Sequence, residues 1–361
     1  MSATPKLYIA GMGMVTPVGG NVAMTAAAVN AGVSGYELSK FSNVNKNPVT
    51  MALVPWQLFA ELDVNIDEGE RFNEQHDRII RMAIYAIREA CADHKINAPI
   101  PLLLSMPDIP RDLSGLPSLT QSLTENCAPI VEANLTRSFY SGRAAGIEAI
   151  DFAFDYLLNA NQDFILIGGS DSHLDYGYLD KLDRSKRLLS VDNPDGFVPG
   201  EGAGFLLLTP HSQLAKLYGG KIIALQRPAI AEESGHLYSE EVYRGDGLDH
   251  AFKQALFNRQ KKNIQNIYSS MNGETYWVRE MGVAQMRNKK YFVDDVKIKH
   301  PADCYGDLGS ASAPVLIALA AENLCKSPTS QAHLVYSSSD TAKRGAIVVE
   351  KYNPVAMNSG E

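Results

Sequence analysis

Ser138-Phe139-Tyr140-Ser141-Gly142-Arg143-Ala144-Ala145-Gly146, running on to Asn159 and then into Phe164-Ile165-Leu166-Ile167-Gly168-Gly169-Ser170, is the stretch that decides the fold. A short strand ends near Phe139 and a glycine-bearing turn follows. Ile147, Ile150, Phe154 and Leu157 then recur at spacings of three and four, the period of a helix with one apolar face, over about Arg143 to Leu158. Phe164 to Ile167 is continuously apolar, as expected of a strand buried on both faces, and it closes on a Gly-Gly pair. Strand, turn, helix and buried strand in succession indicate an α/β layered architecture.

The same alternation extends outward in both directions. Leu7 to Val15 opens as an apolar strand, Leu7-Tyr8-Ile9-Ala10, and is expected to turn on Gly11-Met12-Gly13. A first helix is predicted over about Val22 to Ala31 and a stronger one over His76 to Asp93, where Ile79, Ile80, Ala83, Ile84, Ile87 and Ala90 line one face. Pro99 to Pro129 reads as a loop-rich excursion around one short strand, Leu102 to Ser105, and Asp171 to Asp195 as a mobile, charged surface loop. Strands follow at Phe205 to Leu208 and Lys221 to Leu225, joined by a helical His211 to Leu217. The second half repeats the logic, with helix Leu248 to Asn258, strand Ile267 to Ser270, helix Ser310 to Leu324, and strands Ala332 to Ser337 and Ala346 to Glu350.

Composition narrows the function classes. The chain has 361 residues, 45% hydrophobic and 20% charged, with formal net charge -8. That balance argues against non-specific binding to nucleic acid or an anionic membrane, both of which need clustered Lys and Arg. Cys91, Cys127, Cys304 and Cys325 are scattered without a CxxC pair or matching histidine spacing, so neither a metal site nor a disulfide framework is indicated, and a reducing cytosol fits. No apolar run of about 18 residues and no signal-peptide pattern is present. A soluble cytoplasmic protein without a cofactor is expected.

Four segments resemble the β-ketoacyl synthase branch of the thiolase superfamily. Ile9-Ala10-Gly11-Met12-Gly13-Met14-Val15-Thr16-Pro17-Val18-Gly19 is similar to its first strand and turn, and Phe164 to Ser170 to the strand and Gly-Gly turn after the nucleophile helix. Asp195-Gly196-Phe197-Val198-Pro199-Gly200-Glu201-Gly202-Ala203-Gly204 resembles the family's most recognisable internal stretch, and Leu308 to Ala313 the start of a small-residue helix. The resemblance implies a five-layered α-β-α-β-α fold built from two similar halves, here residues 1–215 and 216–361, and normally dimeric.

The resemblance also locates what has been lost. Family condensing enzymes use a cysteine thiolate and two histidines that stabilise developing negative charge. Counted back from Gly168-Gly169, the cysteine position falls on Arg143; a rival register places Phe139 there. Asn272 stands for the first histidine and Gly306 for the second, and Ser338-Ser339-Asp340-Thr341-Ala342 replaces a glycine-rich gating loop. Ser141 lies near the turn without an obvious base, Cys304 is a possible displaced thiol, and His173 reads as a solvated loop histidine, with His300 a further lone candidate. A buried arginine at a helix start needs an anionic partner, and Glu274, two residues beyond Asn272, is expected to supply it and plug the old pocket.

The chain is also some tens of residues shorter than typical condensing enzymes, mainly between Leu104 and Leu135, where the family shapes its acyl tunnel. The resemblance therefore implies a pseudoenzyme that binds protein, as a homodimer or heterodimer. Its partner would be an active synthase, as for chain-length factors, or a type VI secretion effector module. The alternative is a divergent acyltransferase or condensing enzyme with a non-standard nucleophile.

Overall fold

Gly11 and Gly13 show how the first strand meets its neighbours. A Cβ on Gly13 would lie 1.8 Å from the carbonyl oxygen of Ala86, and one on Gly11 would lie 1.9 Å from that of Ala90. These glycines do not turn the chain, as the sequence suggested; the strand continues through them with a register shift between Ile9 and Gly11, and a helix packs directly on its backbone. A computed structural model describes residues 5–59, 74–108, 119–159, 162–257, 259, 262–329 and 331–353.

In the first half of the chain the elements are β1 (Lys6–Val15), α1 (Val22–Ala31), a hairpin of β2 (Glu37–Ser42) and β3 (Pro48–Met51), α2 (Glu74–Cys91), β4 (Leu102–Ser105), α3 (Leu119–Asn126), β5 (Thr136–Phe139), α4 (Ala145–Asn159), β6 (Ile165–Ser172), α5 (Tyr176–Arg184) and β7 (Glu201–Thr209). There follow β8 (Ile222–Gln226), β9 (Ala229–Glu232), α6 (Asp246–Ala255), β10 (Ile264–Ser269), α7 (Thr275–Arg287), β11 (Phe292–Lys299), α8 (Ala302–Tyr305), α9 (Ser312–Lys326), β12 (Ala332–Ser338) and β13 (Lys343–Tyr352). Hydrogen bonding joins the strands in the order β11-β10-β12-β13-β8-β1-β7-β6-β4-β5, with β9 on β13. The middle seam, β1 to β8, is antiparallel.

Alternation along the strands creates the layers. Ile165 and Ile167 face one cluster and Leu166 the opposite one; Leu206 and Leu208 likewise oppose Phe205 and Leu207. The shared central cluster takes Ile147, Ile150 and Phe154 of α4 and Val315, Ile317 and Leu319 of α9, together with strand residues from both halves, including Ile9, Val335 and Ile347. Helices α2 and α3 cover the outer face of the first half and α6 and α7 that of the second. Helix, sheet, helix pair, sheet and helix give the five layers. Period-two patterning cannot show which face is central; packing on both faces keeps these strands apolar throughout.

Several local expectations are corrected. Residues 171–195 are not a mobile loop but contain α5, whose Asp175 side chain accepts from Tyr178 N at its first turn, and buried Arg187. The helical His211 to Leu217 shrinks to one turn at Ser212–Leu214. Helix α7, α3, and strands β9 and β11 appear where no element was expected. Part of the shortened stretch after Leu104, residues 109–118, lies outside the described residues.

Candidate functional site

Arg143 follows Gly142, which takes φ +53 at the head of the turn leading into α4. A charge at this end of a helix opposes the dipole, and burial adds desolvation, so the guanidinium must be compensated. It is: Nη1 donates to Asp307 Oδ2 at 2.6 Å, Nη2 to Asp340 Oδ1 at 2.5 Å, and Nε to the Ser338 carbonyl at 2.9 Å. The guanidinium carbon also lies 4.6 Å from the centre of the Trp277 ring. Burial alone would push the Arg143 pKa down; Asp340 and Asp307 override it and hold it above the ordinary arginine value.

The partner expected from sequence is corrected by one step. Glu274 pairs instead with Arg187, whose Nε and Nη2 donate to its two oxygens at 2.7 Å each, while Arg187 Nη1 donates to Asp340 Oδ2 at 2.6 Å. Asp340 thus joins both arginines. Burial opposes its ionisation, but Arg143 and Arg187 hold its carboxyl well below the usual range. Asn272 Nδ2 donates to Asp307 Oδ2 at 2.7 Å and to Glu274 Oε2 at 3.1 Å, closing the ring of polar groups. Although burial raises the Asp307 carboxyl, Arg143, His173 and Asn272 bring it down.

Gly306 contributes backbone only. It has φ +74, and a Cβ there would come within 2.7 Å of Val198 O, so no side chain fits. The adjacent Asp307 projects into the site instead. Backbone bonds from Gly200 N to Asp307 O, 2.9 Å, and from Asp307 N to Val198 O, 2.8 Å, fasten this turn to the Asp195 to Gly204 stretch.

The loop at Ser338 to Ala342 is held from both sides. Arg344, fully buried, donates from Nε to Glu280 Oε1 at 2.6 Å and from Nη1 to the carbonyls of Ser339 at 2.8 Å and Thr341 at 2.6 Å. Ser339 Oγ donates to Ser141 O. The Ser141 hydroxyl itself is bonded to Glu148, with no histidine in the pair. Cys304 is buried, and burial followed by Asp303 pushes its thiol up, the wrong direction for a nucleophile. Phe139 packs in the central core, its ring centre 5.8 Å from that of Phe152.

His173 is a further correction: it is buried, its Nδ1 is 3.1 Å from Gly200 O, and its ring packs near Phe197 and Tyr178. His300 is half-buried, and burial lowers its pKa despite Asp303. Sequence reasoning missed Arg187, Asp307, Asp340 and Trp277 as site residues. Their signal was present: each segment that the resemblance sets against a family histidine or the gating loop carries one acidic residue, Glu274, Asp307 or Asp340. Arg187 was hidden because its segment reads as surface.

Among the described residues, no group of three His, Cys, Asp or Glu side chains could hold a metal ion. No helix among them is long and apolar enough to cross a membrane.

Residues 138–213 match the family model of the β-ketoacyl synthase N-terminal domain. A 3-oxoacyl-[acyl-carrier-protein] synthase 2 of Staphylococcus aureus (strain COL) is 24% identical over 247 residues, and the match spans 58% of this chain and 58% of that relative's length. Both matches are to β-ketoacyl synthases, to which this chain is similar. Solved structures carry the same fold. The ishigamide ketosynthase/chain length factor aligns with TM-score 0.75 at 16% identity, covering 97% of this chain and 100% of that one. The ketosynthase from module 6 of the bacillaene synthase from Bacillus subtilis 168 aligns with TM-score 0.76 at 16% identity, covering 96% and 72%. A type II polyketide synthase acyl-carrier protein in complex with its ketosynthase gives TM-score 0.72 at 14% identity, covering 96% and 99%. In this synthase-like chain the turn at Gly142 leads into a buried arginine clamped by two aspartates.

Proposed function

We propose that this chain is a non-catalytic member of its superfamily that works through a protein partner in the cytoplasm, with its former condensing pocket closed. One observation carries the reading: Arg143, at the position assigned to the acyl-accepting cysteine, is buried and bonded to Asp307, Asp340 and the Ser338 carbonyl. An arginine cannot accept an acyl group, and freeing this one would take a charged partner from each of two buried carboxylates. Asn272 and Gly306, assigned to the histidine positions, supply an amide and a bare backbone.

The partner classes are an active synthase subunit, in the manner of a chain-length factor, and an effector module of type VI secretion. The fold's occurrence in a ketosynthase/chain length factor structure supports the first as the starting point. A divergent acyltransferase is the competing reading, and Ser141 paired to Glu148 and Cys304 with a raised pKa give it little support.

The test is intact-mass analysis after incubation with acyl-CoA or acyl-loaded carrier protein, alongside co-purification with the product of each neighbouring gene. No adduct and a stoichiometric complex are expected. A stoichiometric acyl adduct on Ser141 or Cys304 would overturn the reading.

A further inference from the structure

Helix α7 covers the outer face of the second half, and its burial follows the helical period. Trp277, Met281 and Ala284 pack inward, whereas Thr275, Val278, Arg279, Gly282 and Met286 are exposed. Glycine is among the least favourable residues inside a helix, yet Gly282 has no neighbouring atom within 4 Å of where its Cβ would stand and no left-handed φ that would call for it. Val278 and Met286 lie one turn before and one turn after it, 54% and 79% exposed. Residues 278, 282 and 286 thus form one i, i+4, i+8 row, two large apolar side chains with a notch between them, the relief into which the ridge of another helix packs.

Charge decides what kind of helix. Arg279 is exposed beside the row, and α7 exposes no acidic side chain, since its Glu280 is buried against Arg344. The loop before α6 lies alongside: Arg287 Nη1 donates to Gly245 O at 3.3 Å, and a Cβ on Gly245 would come within 2.8 Å of Val283. That loop adds the exposed Arg244. Among the described residues neither Arg244 nor Arg279 has an ion pair, in a chain whose formal net charge is -8. A second copy would bring the same unpaired arginines to the contact, and two cations are too few to hold a phosphate backbone or an anionic membrane. Methionine and arginine around an apolar centre are the residues that protein interfaces favour.

We propose that the outward row of α7 docks a helix of a protein partner that presents apolar residues on an i, i+4 row flanked by Asp or Glu. This docking row rests on the partner reading above only for the existence of a partner. Acyl-adduct formation leaves the measurements below unmoved, so the two fail separately.

The test is fluorescence-anisotropy titration of the full chain with a labelled helical peptide of about 20 residues, about 30 Å long, carrying Leu along one i, i+4 row and Glu beside it. A scrambled peptide and one with Lys in place of Glu should each bind about tenfold more weakly or worse. Val278→Glu and Met286→Glu should each weaken the designed peptide on the order of tenfold. Gly282→Leu fills the notch and should weaken it as much while raising the thermal midpoint by roughly 1 °C, which separates lost docking from lost folding. No saturable binding, equal binding of the scrambled peptide, or full binding retained in Gly282→Leu overturns the proposal. So does tighter binding to anionic vesicles or duplex DNA, or a dimer in sedimentation that Val278→Glu disperses, which would give the row to a second copy.

Discussion

Replacing Arg143 with Met removes the charge while keeping an apolar stem against Trp277. Asp307 then retains Asn272 Nδ2 and Asp340 retains Arg187, so neither carboxylate is wholly abandoned. Removing one member of a buried ion pair nevertheless costs about 3–5 kcal/mol, because the surviving charge stays desolvated. Two aspartates share the loss here, so a value near the lower end, roughly 3 kcal/mol, is expected at neutral pH. Urea unfolding should show it as a lower midpoint with an unchanged slope.

The pH dependence gives a second readout. Arg143 depresses both carboxyls in the folded protein, so its stabilisation is fully present above the unfolded aspartate value of about 3.9 and is lost as pH falls through the lower folded values. The gap between wild type and variant should therefore be widest at neutral pH and narrow in acid. A double-mutant cycle with Asp307→Asn should give a coupling on the order of 2 kcal/mol. A cost below about 0.5 kcal/mol at neutral pH, the level of an ordinary surface substitution, would refute the clamp and leave Arg143 a bystander.

Burial lowers the His333 pKa from 6.5 to about 4, so the folded state resists a proton the unfolded chain takes up. Its stabilisation is complete above 6.5 and should fall by up to about 3 kcal/mol as pH drops toward 4, a slope that His333→Gln should flatten in denaturant titrations. Gly13→Ala should cost roughly 3 kcal/mol or prevent folding, since its methyl meets the Ala86 carbonyl of α2; circular dichroism melts report it, and a neutral result would mean α2 is not seated on β1. Cys304 should resist iodoacetamide in the native protein and react in urea, as peptide mass mapping can show; fast native labelling would reopen it as a nucleophile.

The strand, turn and helix at Ser138 to Ser170 were legible because apolar period and glycine placement are local properties. Residues 171–195 were misread for the opposite reason: Arg187 looks like any surface arginine until Glu274 and Asp340, distant in sequence, are brought against it. The glycines of β1 were read as a turn because sequence cannot distinguish a glycine that bends the chain from one that admits a neighbouring helix.

What the sequence by itself determined is the alternation of elements, the absence of a cysteine at the turn, and the need for an anion near Arg143. Which anions meet that need was decided by the tertiary structure alone. Glu274, Asp307 and Asp340 all sit in segments that the resemblance sets against family motifs, and only the convergence of α7, the Gly306 turn and the loop after β12 on α4 assigns the two aspartates to Arg143 and the glutamate to Arg187. Electrostatic pairing of buried groups acts over a few ångströms, and residues far apart along the chain reach that range only after the layers have packed.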